Sequence, residues 1–190
     1  LMRSQTLLRG DRGANVLPKL QASKIVQEEF FDVVDDEDNI IGVASRDEVH
    51  QLGLKHRSVH LLVYNSNSQL LLQKRSMRKD QCPGRWCASV SGHVDHGEDY
   101  DKCVVREARE EIGLEIDKTP EKLFKIGASE ETGNEFSWVY WHSSEGPFTT
   151  DQEEVSEIAW FAEEELNKLL STNPESFTPD LALIWRKLSS

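Results

Sequence analysis

The chain has 190 residues, 37% of them hydrophobic and 29% charged, the proportions of one ordinary globular domain with a sizeable core. Its formal net charge of −12 argues against a nucleic-acid polymer as partner, since that needs a basic face. No apolar run approaches the roughly 18 residues of a membrane span, so no membrane partner is expected.

Residues 1–27 read as a basic, flexible extension in which Arg3, Arg9, Arg12, Lys19 and Lys24 face one acid, Asp11. Pro18, Gly10 and Gly13 interrupt any amphipathic targeting helix, although an organelle-targeting role stays open. Residues 28–190 read as a single domain. "FFDVVDDEDNIIGVAS" has the pattern of a hairpin turning at Asp35–Asn39, and "RDEVHQLG" that of a short helix stopped by Gly53. "SVHLLVYNSNSQLLLQKRS" predicts a second hairpin turning at Asn65–Ser68. After the Pro83–Gly84 loop, "WCASVSGHV" predicts one short strand running into Gly92.

A charged helix is predicted over 100–112, capped by Asp99 or Asp101 and closed by Gly113. "EKLFKIGASE", "EFSWVYWHS" and "SEIAWFA" follow as strands, then "EEELNKLLS" and "PDLALIWRKL" as helices. Strands interleaved with helices predict an α/β fold, a mixed sheet covered on both faces. Cys82, Cys87 and Cys103 form an odd set without a CxxC pair, which points away from disulfides and cysteine zinc sites and toward a reducing, cytoplasmic compartment.

The charged helix breaks local rules. Glu107, Glu110 and Glu111 are three and four residues apart, so they share a face and repel. Glu110 and Glu111 also sit in the last turn, the negative end of the helix dipole. Carboxylates gathered at such a cost suit a hard divalent cation, which takes oxygen ligands and bridges them to a substrate's phosphates. This is how an acidic protein can bind an anionic substrate.

Gly92, five residues, Glu98, seven residues, Arg106-Glu107-Ala108, one residue, Glu110-Glu111, one residue, Gly113-Leu114 resembles a complete Nudix box. The resemblance implies an α/β/α sandwich over 28–190 and hydrolysis of a diphosphate linkage, in a nucleoside diphosphate-X compound or another organic diphosphate. It implies Mg²⁺ or Mn²⁺ as cofactor, a small-molecule partner and a monomer or homodimer. Glu107, Glu110 and Glu111 would be metal ligands and the Gly92 carbonyl a further one. Glu98 would be an auxiliary ligand or a partner of Arg106, and Arg106 would orient the glutamates.

Outside the box, Lys74, Arg75 and His93 are candidates for substrate contact, and Trp86, Phe136, Trp138 and Tyr140 for a pocket wall. Glu135 and Glu154 are candidates for an extra metal ligand or general base. "HRSVHLLVYNSNSQLLLQKRS", "PGRW" and "SGHV" are also similar to isopentenyl-diphosphate isomerases, which share the fold. That resemblance matches His56 and His93 to metal-site histidines and Glu135 to an essential glutamate. It fails at Ser91, where isomerases carry cysteine, and at Gly133, where they carry a second glutamate. A fold relative that binds without catalysis is the third reading, but such modules lose box glutamates and here all are present.

Overall fold

The computed structural model describes residues 28–189, so the basic stretch 1–27 lies outside the described residues. Strands β1 (Phe30–Val34) and β2 (Ile40–Ser45) form the first hairpin as a separate two-stranded sheet. Its turn is closed by Asp35, whose Oδ1 accepts the backbone N–H of Glu37 at 3.0 Å and of Asn39 at 2.8 Å. Ser45 then starts α1 (Arg46–Leu52) through a reciprocal capping box with Glu48, and Gly53 ends it at φ 62°.

The main sheet is built on β3 (His56–Tyr64). This strand pairs in parallel with β8 (Glu135–Ser143) and antiparallel with β6 (Val90–His93), and β7 (Glu121–Ile126) edges β8. Strand β4 (Leu70–Arg75) pairs with β9 (Val155–Phe161) and with β5 (Trp86–Cys87).

Two features depart from the sequence reading. The Asn65 turn forms, with Asn65 Oδ1 accepting the N–H of Asn67 and Gln69, yet β3 and β4 pair at Tyr64↔Leu70 alone before they splay. Buried Ser89 fills the gap: its hydroxyl accepts the Val63 N–H at 2.8 Å and donates to the Leu71 carbonyl at 2.5 Å. One hydroxyl thus satisfies two backbone groups that would otherwise be orphaned. For the same reason "WCASVSGHV" is two strands, β5 on β4 and β6 on β3, parted at Ala88–Ser89.

Helix α2 (Tyr100–Ile112) covers one face, where Val104, Ala108 and Ile112 share a core with Val59, Leu61 and Val63. Helices α3 (Glu163–Thr172) and α4 (Pro179–Leu188) cover the other, where Leu166, Leu181 and Ile184 meet Leu62, Leu70 and Leu72. The period-2 alternation of β3 sends its side chains into both cores, and truncating Leu61 or Leu62 to Ala would cost about 2–5 kcal/mol. The β1–β2 hairpin clamps the loop before α2: the His96 N–H donates to the Phe30 carbonyl at 2.8 Å, and the Gly97 N–H to Asp32 Oδ2 at 3.2 Å.

Candidate active site

Asp99 is the cap of α2, accepting the Lys102 N–H at 2.8 Å, and Gly113 closes the helix at φ 63°. These ends place Glu107, Glu110 and Glu111 in the last two turns, against β6. Arg106 stands at their centre. Its Nε and Nη2 grip both oxygens of Glu98, at 3.0 and 2.8 Å. Nη1 reaches Glu107 at 2.7 Å and Glu110 at 3.2 Å, and Nη2 also donates to the His93 carbonyl at 3.1 Å. A planar guanidinium is suited to this, since its fork holds several acceptors in fixed directions.

Glu111 is buried and accepts the Gln73 side-chain amide at 2.7 Å and the Ser91 N–H at 3.0 Å. Burial, then the neighbouring charge of Glu111, pushes Glu107 up to about 8. Burial likewise pushes Glu111 up to about 7, against its hydrogen bonds from Ser91 and Gln73. Glu110 projects outward, its side chain 53% exposed. Arg106 therefore serves Glu98, Glu107 and Glu110, while Glu111 is buried without contact to it and is held, among the described residues, by Gln73 and the Ser91 N–H alone.

The carboxylates open on a cleft of about 1000 Å³. Arg46, Arg75, Arg78 and Lys79 line it as well, and so does Glu154, which is ion-paired to Lys79. Arg75 donates its Nε–H to the Gln81 carbonyl at 2.9 Å. Of the residues singled out from the sequence, Gly92, His93, Arg106, Glu107, Glu110, Glu111, Arg75, Glu135 and Glu154 all line the cleft.

Others lie elsewhere. Glu98 sits behind Arg106 with both oxygens engaged, which makes it that residue's partner and leaves it outside the cleft lining. Lys74 points away, toward Glu157 at 3.7 Å and over the Trp86 ring at 5.6 Å, because alternate residues of a strand face opposite sides. Trp86 packs edge-on against Phe161 in the second core, Trp138 lies under Lys122 and Phe136 under Lys125, so none of these walls the cleft. Sequence reasoning missed Arg46, Arg78 and Lys79, which line the cleft, and Gln73 and His50, which stand behind it against Glu111 and His93; none carries a local signal, because loop and strand packing alone brings them there.

A divalent cation fits the box. Gly92 has no side chain, and that space is taken by the Glu107 carboxylate. Oε1 of Gln73 is buried with no hydrogen-bond partner, so the polar groups around Glu111 retain unused acceptor capacity. Glu107, Glu110, Glu111 and the Gly92 carbonyl are an all-oxygen donor set, the kind Mg²⁺ and Mn²⁺ take.

At the other end of the cleft, Glu135 faces two histidines. Its Oε1 is 3.1 Å from Nε2 of His93 and 3.6 Å from Nε2 of His56. Burial would favour the neutral acid, yet the positive charges and hydrogen bonds of His93 and His56 hold Glu135 well below the usual carboxylate range. Cys87 is buried, and burial pushes its thiol up to about 12.

A two-faced sandwich whose cleft is walled by a capped acidic helix and an inward-facing arginine defines the class of Nudix-fold enzymes. The model of the NUDIX domain matches residues 54–181, and the chain belongs to that family. It is 30% identical to the Nudix hydrolase YfcD of Escherichia coli over 85% of this chain and 87% of that protein. It is 34% identical to a protein of Methanosarcina mazei named prenyl-diphosphate phosphatase, over 78% of this chain and 88% of the relative. The crystal structure of DR0079 from Deinococcus radiodurans superposes with a TM-score of 0.75 at 30% identity, covering 84% of this chain and 98% of that one. The protein is accordingly a hydrolase acting on diphosphate bonds.

Proposed function

We propose that the protein hydrolyses a small organic diphosphate with Mg²⁺ or Mn²⁺ held by Glu107, Glu110, Glu111 and the Gly92 carbonyl, and that a prenyl diphosphate is its preferred substrate. The observation that carries this reading is the arrangement of charge across one cleft: carboxylates of α2 on one wall, Arg46, Arg75, Arg78 and Lys79 on another. A diphosphate placed between them meets cations on both sides. Phe30, 44% exposed, also lines the cleft and offers an apolar surface suited to a short hydrocarbon. The named relative from Methanosarcina mazei supports the same organic group.

Bound Mg²⁺ supplies Lewis acidity and a water of lowered pKa. Arg106 fixes the orientation of Glu107 and Glu110, and Gln73 and the Ser91 N–H fix Glu111. Arg75 and Lys79 offset charge on the phosphate oxygens. The oxygen of water bonds to the terminal phosphorus, the bridging P–O bond breaks, and the organic monophosphate leaves with the bridging oxygen while inorganic phosphate keeps the oxygen of water. Glu154 takes the proton of the attacking water: it lines the cleft with a single partner, Lys79, and its side chain is 40% exposed, whereas Glu135 is 15% exposed between two imidazoles.

The test is inorganic phosphate release from prenyl diphosphates and nucleoside triphosphates, and monophosphate release followed by chromatography for nucleotide sugars and dinucleotides, with Mg²⁺ or Mn²⁺ and with chelator. Chelator-sensitive release that is greatest from prenyl diphosphates is the expected result. Nucleotides cleaved about tenfold better would overturn the choice of organic group. Release from no member would overturn the diphosphate reading itself.

A further inference from the structure

The exposed apolar surface of this protein is concentrated at the mouth of the cleft. Nine large hydrophobic side chains are exposed among the described residues, and four of them, Phe30, Ile40, Ile41 and Val43, sit on the β1–β2 hairpin. Phe30 lines the cleft itself. The antiparallel register pairs Phe30 with Ser45 and Asp32 with Val43. Cross-strand partners and alternate residues of a strand share a face, so Val43, two residues from Ser45, is the diagonal neighbour of Phe30 on one surface. Val43 is 48% exposed, and Ile41, two residues further along β2, is 67% exposed. From Ser45 to Ile41 an extended strand covers about 13 Å. Single exposed hydrophobics are ordinary, whereas a run of them beside a binding cleft marks a surface that something apolar covers.

The deep end of the cleft has the opposite character. Ser58, Cys87, Thr178 and Asp180 line it, and the first three are buried. The Asp180 carboxylate makes no hydrogen bond or ion pair among the described residues, and burial pushes its carboxyl up. His60, which acts electrostatically on Asp180, is buried with its Nδ1 unpartnered. Hydrocarbon pressed against these groups would take water from them and return no hydrogen bond, which is unfavourable. Phe31 and Cys87, the other apolar groups of the lining, are buried and offer little area for contact. An apolar chain anchored by its diphosphate therefore has one favourable direction, outward past Phe30.

We propose that the hydrocarbon of the substrate leaves the cleft over the hairpin, along Phe30, Val43 and Ile41, and that these side chains make the enzyme prefer prenyl diphosphates longer than one isoprene unit. This rests on the prenyl reading above and adds a direction and a chain length to it. A dimethylallyl group is short enough to lie against Phe30 alone. A second isoprene unit extends onto Val43 and Ile41. Each methylene brought fully out of water tightens binding about fourfold, so a second unit half covered by the hairpin tightens it about tenfold or more.

The test measures KM and kcat of the full chain with Mg²⁺ for dimethylallyl and geranyl diphosphate, in wild type, Val43→Asp and Ile41→Asp. Both positions are exposed, so the fold should survive, which circular dichroism checks. In wild type, the KM for geranyl diphosphate should lie about tenfold or more below that for dimethylallyl diphosphate. Each variant should raise the geranyl KM about tenfold and leave the dimethylallyl KM within about twofold, with kcat unchanged. Equal KM for the two substrates in wild type, or variants that shift both alike or neither, would overturn the inference. So would an unmoved geranyl KM in variants whose sedimentation shows the loss of a dimer, since a second copy would then be what covers the hairpin. Turnover of neither substrate would remove the prenyl reading and this inference with it, whereas turnover of dimethylallyl diphosphate without the geranyl gain overturns the inference alone.

Discussion

Gly92 and Glu107 occupy the same space by turns: a Cβ added to Gly92 would overlap Cδ, Oε1 and Cγ of Glu107. The box glycine is therefore a steric requirement of the carboxylate that packs on it. Gly92→Ala should displace that carboxylate, cost about 1–3 kcal/mol of stability by overpacking, and weaken Mg²⁺ binding at least tenfold. Calorimetric titration with thermal melts checks both effects, and an unchanged Mg²⁺ affinity would show that Glu107 does not need its present position.

Glu110→Gln and Glu111→Gln each remove an anionic ligand. Turnover should fall by about 10²-fold or more, the scale of losing a preorganised electrostatic contact in the transition state, while the fold survives. Steady-state phosphate release measures this, and wild-type turnover in either variant would end the metal-platform reading.

The same glutamates carry a pH signature. Glu107 and Glu111 are raised from 4.5 to about 8 and about 7, so the native state holds their protons longer than the unfolded chain does. Their contribution to stability is fully present below about pH 4.5 and is lost as pH rises through the raised values. Without metal, Glu111→Gln should therefore gain stability over wild type, and the gain should grow from pH 5 to pH 8. Comparing variant with wild type cancels the contributions of the groups the two share. Chelator-treated proteins melted across that range would expose a flat difference, which contradicts the assignment.

Arg106 contacts Glu98, Glu107 and Glu110 together. Arg106→Ala leaves buried carboxylates uncompensated, which should cost about 3–5 kcal/mol. It should also weaken Mg²⁺ affinity about 10–100-fold. An unchanged metal titration with a raised KM would instead make Arg106 a phosphate contact.

Double-bond migration in isopentenyl diphosphate needs an acid and a base across the pocket. Glu135 can fill one role. The other falls to Ser91, a poor acid, or to Cys87, whose buried thiol is pushed up to about 12. We expect no dimethylallyl diphosphate by NMR from purified protein. Its accumulation, abolished by Glu135→Gln, would reverse the choice.

The box and its helix were legible because their information is local. Spacing along α2 sets which glutamates share a face, and Asp99 and Gly113 mark its ends through chemistry within one turn. The hairpin at Asp35 and the helix stop at Gly53 were legible for the same reason. What tertiary structure decided was pairing at a distance. Nothing in "SVHLLVYNSNSQLLLQKRS" says that β3 leaves β4 for β8, seventy-odd residues away, or that Ser89 will bridge the gap. Lys74 and Arg75 look equivalent in sequence until the pairing of β4 with β9 turns one toward Glu157 and the other into the cleft. His50, His56, His93 and Glu135 come from α1, β3, β6 and β8, and they meet because strand register, which a single sequence does not encode locally, places their starts and ends at one edge of the sheet.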